Sequence, residues 1–225
     1  MSQTLYIGPK NYSSWSLRPW LTLKWANIDF DEHYIPLDQP GYGMGEIEAV
    51  KRVSPAGKVP ALHVDDLVIW DSLAIAEWAA EQNPKVWPTD SSARAVARAA
   101  TAEMHGGFFG IRRDMPMNIQ RRCHYDQWPD DTKRDLVRLF ELWTTLREQC
   151  RHAGPWLLGT RSIADAFYAP VATRLRTYGV ALPGVCEDYV NTVLGDDAFL
   201  AWEQDCVTGV WDKPGFPVLD RLYED

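Results

Sequence analysis

Over residues 1–82, short apolar runs alternate with segments whose apolar residues recur at helical spacing. The run TLYIG (4–8) predicts a first strand. Residues 16–26 predict a helix, because apolar side chains recur there at helical spacing: Leu17, Trp20, Leu21 and Trp25. Pro19 fits this helix if it begins near Ser16, because proline is tolerated in the first turn of a helix and not in its interior.

The same alternation continues up to residue 82 and then stops. The segment 31–37 predicts a second strand, residues 39–55 predict a glycine-rich loop that leads into a short helix, and two short runs around Asp65 and Asp66 predict a hairpin. Residues 72–82 predict a further helix. The predicted order of elements is therefore β-α-β-α-β-β-α.

The second part of the chain has a different pattern. Residues 83–90 carry two prolines and predict a linker, and residues 91–225 are predicted to be helical apart from a tail rich in Pro and Gly. The predicted helical segments are 91–113, 132–153, 162–179, 184–195 and 196–206. We expect an α/β domain at residues 1–82, a linker at 83–90 and an all-α domain at 91–225.

Composition narrows the class of protein. A net charge of −8 without a basic block argues against a nucleic-acid or anionic-membrane surface. No apolar run reaches the ~20 residues of a membrane span, and the N-terminus MSQTLYIG does not have the pattern of a signal peptide. The four cysteines form no CxxC and no zinc-type spacing, so we expect no metal and a cytoplasmic location.

Three junctions carry candidate chemistry or capping. Pro60 stands before a predicted strand, either as an ordinary trans proline or as a cis proline that turns the backbone of Val59 outward to pair with an extended peptide. Asp71 and Ser72 begin a helix, where they are either caps or partners for the ammonium and carboxylate of a bound amino acid. Ser162 and Asp165 have the spacing of a capping box that starts a buried helix.

In this order, the junctions KVPAL, DSLAI and SIAD resemble the glutathione transferase superfamily over nearly the whole chain. The resemblance implies a thioredoxin-like N-terminal domain that binds glutathione as co-substrate, followed by the helical domain of these enzymes. It also implies that Val59, before a cis Pro60, binds the cysteinyl backbone, that Asp71 and Ser72 hold the γ-glutamyl end, and that Lys58 lies near the glycine end.

The stretch SSWSLR resembles the S-S-C-S-W-R of the zeta class, which makes Ser13 the catalytic residue, whereas theta-type spacing selects Ser14. The cysteine of the beta class aligns with Trp15, so thiol–disulfide chemistry is not expected. A serine hydroxyl that donates to sulfur favours the thiolate, and the following helix N-terminus adds positive potential. The alternative is that Ser14 or Ser16 only caps the helix.

Residues 102–113 resemble the E-x-H-x-G-F of the beta class, which implies that His105 approaches glutathione; the alternative is a histidine packed at the domain interface. We expect Trp15, Phe108, Phe109 and Arg112 to line the site for the electrophile. The predicted function is conjugation of glutathione to small electrophiles by a homodimer. The alternatives are a zeta-like glutathione-dependent isomerase and a non-catalytic binding or regulatory protein with the same fold.

Overall fold

The computed structural model describes residues 3–208. Its first part follows the predicted order β-α-β-α-β-β-α. The elements are β1 (Gln3–Ile7), α1 (Ser14–Trp25), β2 (Asp31–Tyr34), α2 (Glu48–Lys51), β3 (Ala61–Val64), β4 (Leu67–Trp70) and α3 (Ser72–Gln82).

The strands form one mixed sheet in the order β2-β1-β3-β4. β1 is parallel to β2 and antiparallel to β3, and α1 supplies the crossover that the parallel pair requires. β3 and β4 form the predicted hairpin, in which Asp65 occupies the left-handed region with φ of 50°. The predicted second strand is shorter than expected, because β2 ends at Tyr34, opposite the last residue of β1.

The second part is helical, as predicted. Its helices are α4 (Ser91–Gly106), α5 (Phe109–Asp114), α6 (Asp130–Cys150), α7 (Ile163–Thr177), α8 (Gly184–Leu194) and α9 (Asp197–Thr208). Within the predicted linker, Pro84–Val86 forms a short 3-10 helix, and Trp87 is buried. The domain limits remain a prediction, and the tail expected after residue 208 lies outside the described residues.

The predicted start of α1 at Ser16 is wrong. The helix begins at Ser14, and Ser13 is the N-cap, whose hydroxyl accepts a hydrogen bond from the backbone N–H of Ser16 at 3.3 Å. Pro19 therefore lies inside the helix, where it cannot donate to the carbonyl of Trp15. The helix tolerates this proline because both of its ends are held by packing on the rest of the protein.

The predicted continuous helix over residues 91–113 is also wrong. It breaks after Gly106, and Phe108 takes a left-handed conformation with φ of 55° before α5 begins. The carboxylate of Asp135 accepts hydrogen bonds from the backbone N–H of Gly110 at 2.8 Å and of Ile111 at 3.2 Å. A distant acidic side chain thus binds the start of α5, a contact that local propensity cannot indicate.

The core of the second domain is organised around α7, which is buried along nearly its whole length. The predicted capping box is confirmed: Asp165 accepts hydrogen bonds from Ser162 N at 2.7 Å and from the Ser162 hydroxyl at 3.1 Å. It also accepts from Leu157 N at 3.0 Å and from the hydroxyl of Tyr189 at 2.9 Å. Asp165 therefore satisfies donors from three separate segments in a fully buried position.

We expect Asp165→Ala to lower the free energy of unfolding by at least about 2 kcal/mol, because it leaves several buried donors without an acceptor. Chemical denaturation followed by circular dichroism measures the change. Asp197→Ala is the matched control, since Asp197 is an exposed residue in the first turn of α9. Equal stability of the two variants would contradict the structural role of Asp165.

Candidate active site

A cleft of about 590 Å³ opens beside the ends of β1 and β4. Its volume lies within the range of small-molecule sites. Of the residues selected from the sequence, those that line it are Ser13, Ser14, Trp15, Lys58, Val59, Pro60, Asp71 and Ser72. The fold thus brings these residues from three separate parts of the N-terminal domain to one surface.

Two helix N-termini meet this cleft. α1 begins at Ser14 and α3 begins at Ser72, and both residues contribute to its lining. The unpaired N–H groups and the dipole of a helix N-terminus favour negative charge. The cleft is therefore suited to a ligand with two separated anionic groups, one at each helix.

Asp71 and Ser72 form the α3 side of the cleft. Asp71 has an unusual φ of 75°, and its Oδ1 accepts a hydrogen bond from Leu73 N at 2.7 Å. The hydroxyl of Ser72 is buried and has no hydrogen-bond partner among the described residues. An unsatisfied buried hydroxyl beside a residue with a strained backbone indicates a place where a polar ligand binds.

Val59 and Pro60 form the opposite side, and the predicted cis peptide bond between them is confirmed. Gly8, at the end of β1, lies between this side and α1. A Cβ atom on Gly8 would lie 3.3 Å from both Ser13 Oγ and Val59 Cγ2. The absence of a side chain at Gly8 therefore lets the serine and the cis-proline segment come close together.

His105 and Arg112 of the helical domain contact Asp71 and Trp15 of the cleft wall but do not themselves line the cleft. His105 Nε2 lies 3.5 Å from Asp71 Oδ2, and its ring packs edge-on against Trp15 with centroids 5.5 Å apart. Burial lowers the pKa of His105, an effect that the Asp71 carboxylate opposes and nearby arginines strengthen. The neutral ring therefore contacts Asp71, and the sequence-based expectation of direct contact with glutathione remains a prediction.

Trp15 is held between two guanidinium groups. The Cζ of Arg18 lies 4.3 Å from its ring centroid, and that of Arg112 lies 4.8 Å away. Arg112 also donates to the backbone carbonyls of Met104 and Gly107 at the end of α4. The indole therefore joins the two domains at the edge of the cleft.

The two phenylalanines predicted to line an electrophile site lie elsewhere. Phe108 is buried and packs against Tyr168, with ring centroids 6.4 Å apart. Phe109 is 72% exposed on α5, and neither ring contributes to the lining of the cleft. The break in the predicted helix explains the difference, because it changes the direction of both side chains.

Several lining residues were not selected from the sequence. They are aromatic or belong to the glycine-rich loop: Tyr12, Tyr42, Trp70, Gly41, Gly43 and Gly45. The run GYGMG was a visible signal, because glycines with positive φ mark a loop whose backbone can approach a ligand closely.

Comparison with known proteins agrees with this geometry. Residues 12–82 match the glutathione S-transferase N-terminal domain and residues 124–224 match the C-terminal domain. Maleylacetoacetate isomerase of Rattus norvegicus is 35% identical over 194 residues, which cover 84% of this chain and 86% of the relative. The chain belongs to the glutathione S-transferase family.

Other similar proteins match nearly the whole length of the chain. A probable maleylacetoacetate isomerase of Caenorhabditis elegans is 28% identical over 206 residues, covering 89% of this chain and 92% of the relative. The crystal structure of a glutathione transferase homolog from Burkholderia with bound glutathione has a TM-score of 0.71 at 21% identity. The match covers 93% of this chain and 100% of the Burkholderia chain. The predicted fold class, a thioredoxin-like domain followed by a helical transferase domain, is confirmed.

Arg18 is a buried cation in this member of the family. It is fully buried between Trp15 and Phe167, and its three guanidinium nitrogens have no hydrogen-bond partner among the described residues. Burial lowers the pKa of Arg18 well below its usual value, and Arg112 and Arg174 add to this effect. Burying an ion costs several kcal/mol of free energy. The cation–π contacts of Arg18 offset only part of that cost, at about 0.5–2 kcal/mol each.

We expect Arg18→Met to leave the free energy of unfolding unchanged or to raise it by about 1 kcal/mol, because methionine fills the same aromatic space without a charge. Arg174→Met is the matched control. Arg174 is also buried, but its Nε donates to Met115 O at 2.7 Å, so its replacement should destabilise the fold. Urea denaturation of both variants tests this; greater destabilisation by Arg18→Met would contradict it.

Proposed function

We propose that this protein binds glutathione in the cleft between α1 and α3, stabilises its thiolate through a serine hydroxyl, and transfers it to small electrophiles. Family membership supports glutathione as co-substrate. The observation that carries the proposal is the unpartnered, buried hydroxyl of Ser72 beside the carboxylate of Asp71, on the same cleft as Ser13. Those two groups fit a carboxylate and an ammonium on one carbon atom.

Each part of the cleft has a role in this proposal. Ser72 and the N–H groups of α3 would bind the γ-glutamyl carboxylate, and Asp71 would pair with the ammonium. The backbone of Val59 would pair with the cysteinyl residue, and Lys58, which is exposed at the rim, would attract the glycine carboxylate. These contacts would direct the thiol toward the N-terminus of α1.

The chemical step depends on lowering the pKa of that thiol. A thiol with a pKa of about 8.5 is mostly protonated at neutral pH, and the thiolate is the nucleophile. Donation from Ser13, together with the dipole of α1, would favour the charged form. The thiolate then forms a bond from sulfur to the electrophilic carbon, and the electron pair of the broken bond leaves with the departing group or is protonated after addition.

A second candidate is a glutathione-dependent isomerase. The similarity to maleylacetoacetate isomerase from two animals and the SSWS sequence favour it. In an isomerase glutathione adds to a double bond and leaves again, so free thiol is not consumed, whereas conjugation consumes one thiol per turnover. Purified protein should be assayed with maleylacetone and with an activated aryl halide while free thiol is titrated. Binding of glutathione without turnover in either assay would favour the non-catalytic alternative.

The family also leads us to propose a homodimer in the cytoplasm. Among the helices of residues 3–208, none combines the length and apolar character that a membrane span needs.

We expect Ser72→Ala to weaken glutathione binding about tenfold or more, because a hydrogen bond to a charged carboxylate is lost. Calorimetry measures the affinity. The dipeptide cysteinylglycine has no γ-glutamyl group, so Ser72→Ala should weaken its binding much less than it weakens the binding of glutathione. Ser54→Ala is the matched control: its hydroxyl is also buried and unpartnered among the described residues, but it lies outside the cleft lining. An equal effect on both peptides would contradict the assignment of Ser72.

We expect Ser13→Ala to raise the pKa of the bound thiol by about 1, since one donor to the thiolate is lost, while the affinity changes less. Ser14→Ala is the neighbouring control and should titrate like the parent. The absorbance of the thiolate, followed as a function of pH, gives the pKa. If only Ser14→Ala raises it, the theta-type assignment is right; if neither does, both serines are structural.

A further inference from the structure

Ser16 connects the end of β1 to the cleft through two hydrogen bonds. It is fully buried in the first turn of α1. Its hydroxyl accepts the backbone N–H of Gly8 at 3.1 Å, and it lies 2.7 Å from the hydroxyl of Ser13. Ser13 and Ser16 are therefore consecutive members of one hydrogen-bond chain.

The positions of the hydrogen atoms follow from the available acceptors. Ser16 Oγ already accepts from Gly8, so its own hydrogen needs an acceptor, and among the described residues that acceptor is Ser13 Oγ. Ser13 Oγ also accepts from Ser16 N at 3.3 Å. The reverse arrangement would leave a buried hydroxyl hydrogen without an acceptor, at a cost of about 1–3 kcal/mol.

Resting on the function proposed above, we propose that Ser16 is the positioning residue for Ser13: the chain Gly8 N–H to Ser16 O–H to Ser13 O–H directs the last hydrogen into the cleft, toward the sulfur. With the hydrogens placed in this way, Ser13 Oγ accepts two hydrogen bonds from the protein, so the cleft is the side that remains for its own hydrogen.

This arrangement strengthens Ser13 as a donor in two ways. Successive hydrogen bonds polarise one another, so a hydroxyl that accepts two bonds donates more strongly. A donor that is oriented before the charge forms also needs no reorganisation when the thiolate appears. Ser14 differs, because its hydroxyl is not a member of the chain, which joins Gly8, Ser16 and Ser13. The chain thus selects Ser13 from the two adjacent serines.

The start of the chain lies beside the predicted sulfur position. Gly8 adjoins both Ser13 and Val59, the residue proposed to hold the cysteinyl backbone. Gly8 N is buried in the sheet domain, so the chain begins at a rigid backbone group rather than at a mobile side chain. The orientation of the Ser13 hydroxyl therefore depends on how β1 and α1 pack.

The test compares the pKa of glutathione bound to a set of variants, measured by thiolate absorbance. Ser16→Ala should raise it by about 0.5 to 1, the size expected for one hydrogen bond and no more than the effect of Ser13→Ala. Ser16→Thr retains the hydroxyl and should restore the parent value. The double variant Ser13→Ala with Ser16→Ala should titrate like Ser13→Ala alone, because Ser16 acts only through Ser13.

A purely structural role for Ser16 would give a different result. S-methylglutathione has no ionisable thiol, so we expect Ser16→Ala to bind it as tightly as the parent; a parallel loss of affinity would overturn the proposal. If Ser16→Ala does not fold, Ser16→Cys keeps a weaker donor of similar size and should give an intermediate pKa. A parent-like pKa in folded Ser16→Ala, or in Ser16→Cys where the alanine variant does not fold, would equally overturn it.

The remaining outcomes separate this proposal from the function on which it rests. In one of them, Ser13→Ala raises the pKa of bound glutathione, but the shifts of Ser13→Ala and Ser16→Ala add in the double variant. That result would overturn the hydrogen-bond chain and leave the proposed function intact. Failure of the parent protein to bind glutathione in calorimetry would overturn both.

Discussion

The burial of α1 is the constraint on which the rest of the structure depends. Of its twelve residues only Trp15 and Lys24 are exposed, so this helix lies inside the protein rather than on its surface. It packs against α3 of the first domain and against α7 of the second. Because both domains contact the same helix, its first turn cannot move without repacking two cores. Ser13 and the start of the cleft are therefore fixed by apolar packing.

Two ion pairs of the buried Lys10 side chain connect the same region to β2 and to the end of the described chain. Lys10 is 1% exposed and contacts Glu32 at 2.6 Å and Asp205 at 2.5 Å. Trp202 of α9 donates to the backbone carbonyl of Lys10 at 3.0 Å. A buried ion pair contributes little net stability, but an arrangement that left Lys10 buried without a carboxylate would be strongly destabilised. The loop before α1 is thereby bound to both domains.

Unfavourable local features gather around the cleft. The φ of Asp71, the unpartnered hydroxyl of Ser72 and the unpaired guanidinium of Arg18 each cost free energy in the folded protein. They persist because packing of the surrounding core stabilises the folded protein by more free energy than these features cost. Such a concentration of strained and unsatisfied groups is typical of functional sites, where residues are arranged to bind a ligand rather than to stabilise the fold. Asp165 is a purely structural contrast, because it is fully buried and both of its carboxylate oxygens accept hydrogen bonds.

By itself, the sequence determined the order of the elements, the two-part architecture, the capping box at α7 and eight of the residues that line the cleft. These depend on apolar periodicity and on short motifs, which act over a few neighbouring residues. Only the tertiary structure decided that Ser13 rather than Ser16 caps α1, that α4 ends before Phe108, and that His105 contacts Asp71. In each case the deciding partner lies in another segment of the chain. Gly8 after β1 donates to Ser16, Asp135 of α6 binds the start of α5, and Asp71 of the first domain contacts His105. Local patterns specify which side chains are buried, but which polar groups meet there depends on how separate segments pack.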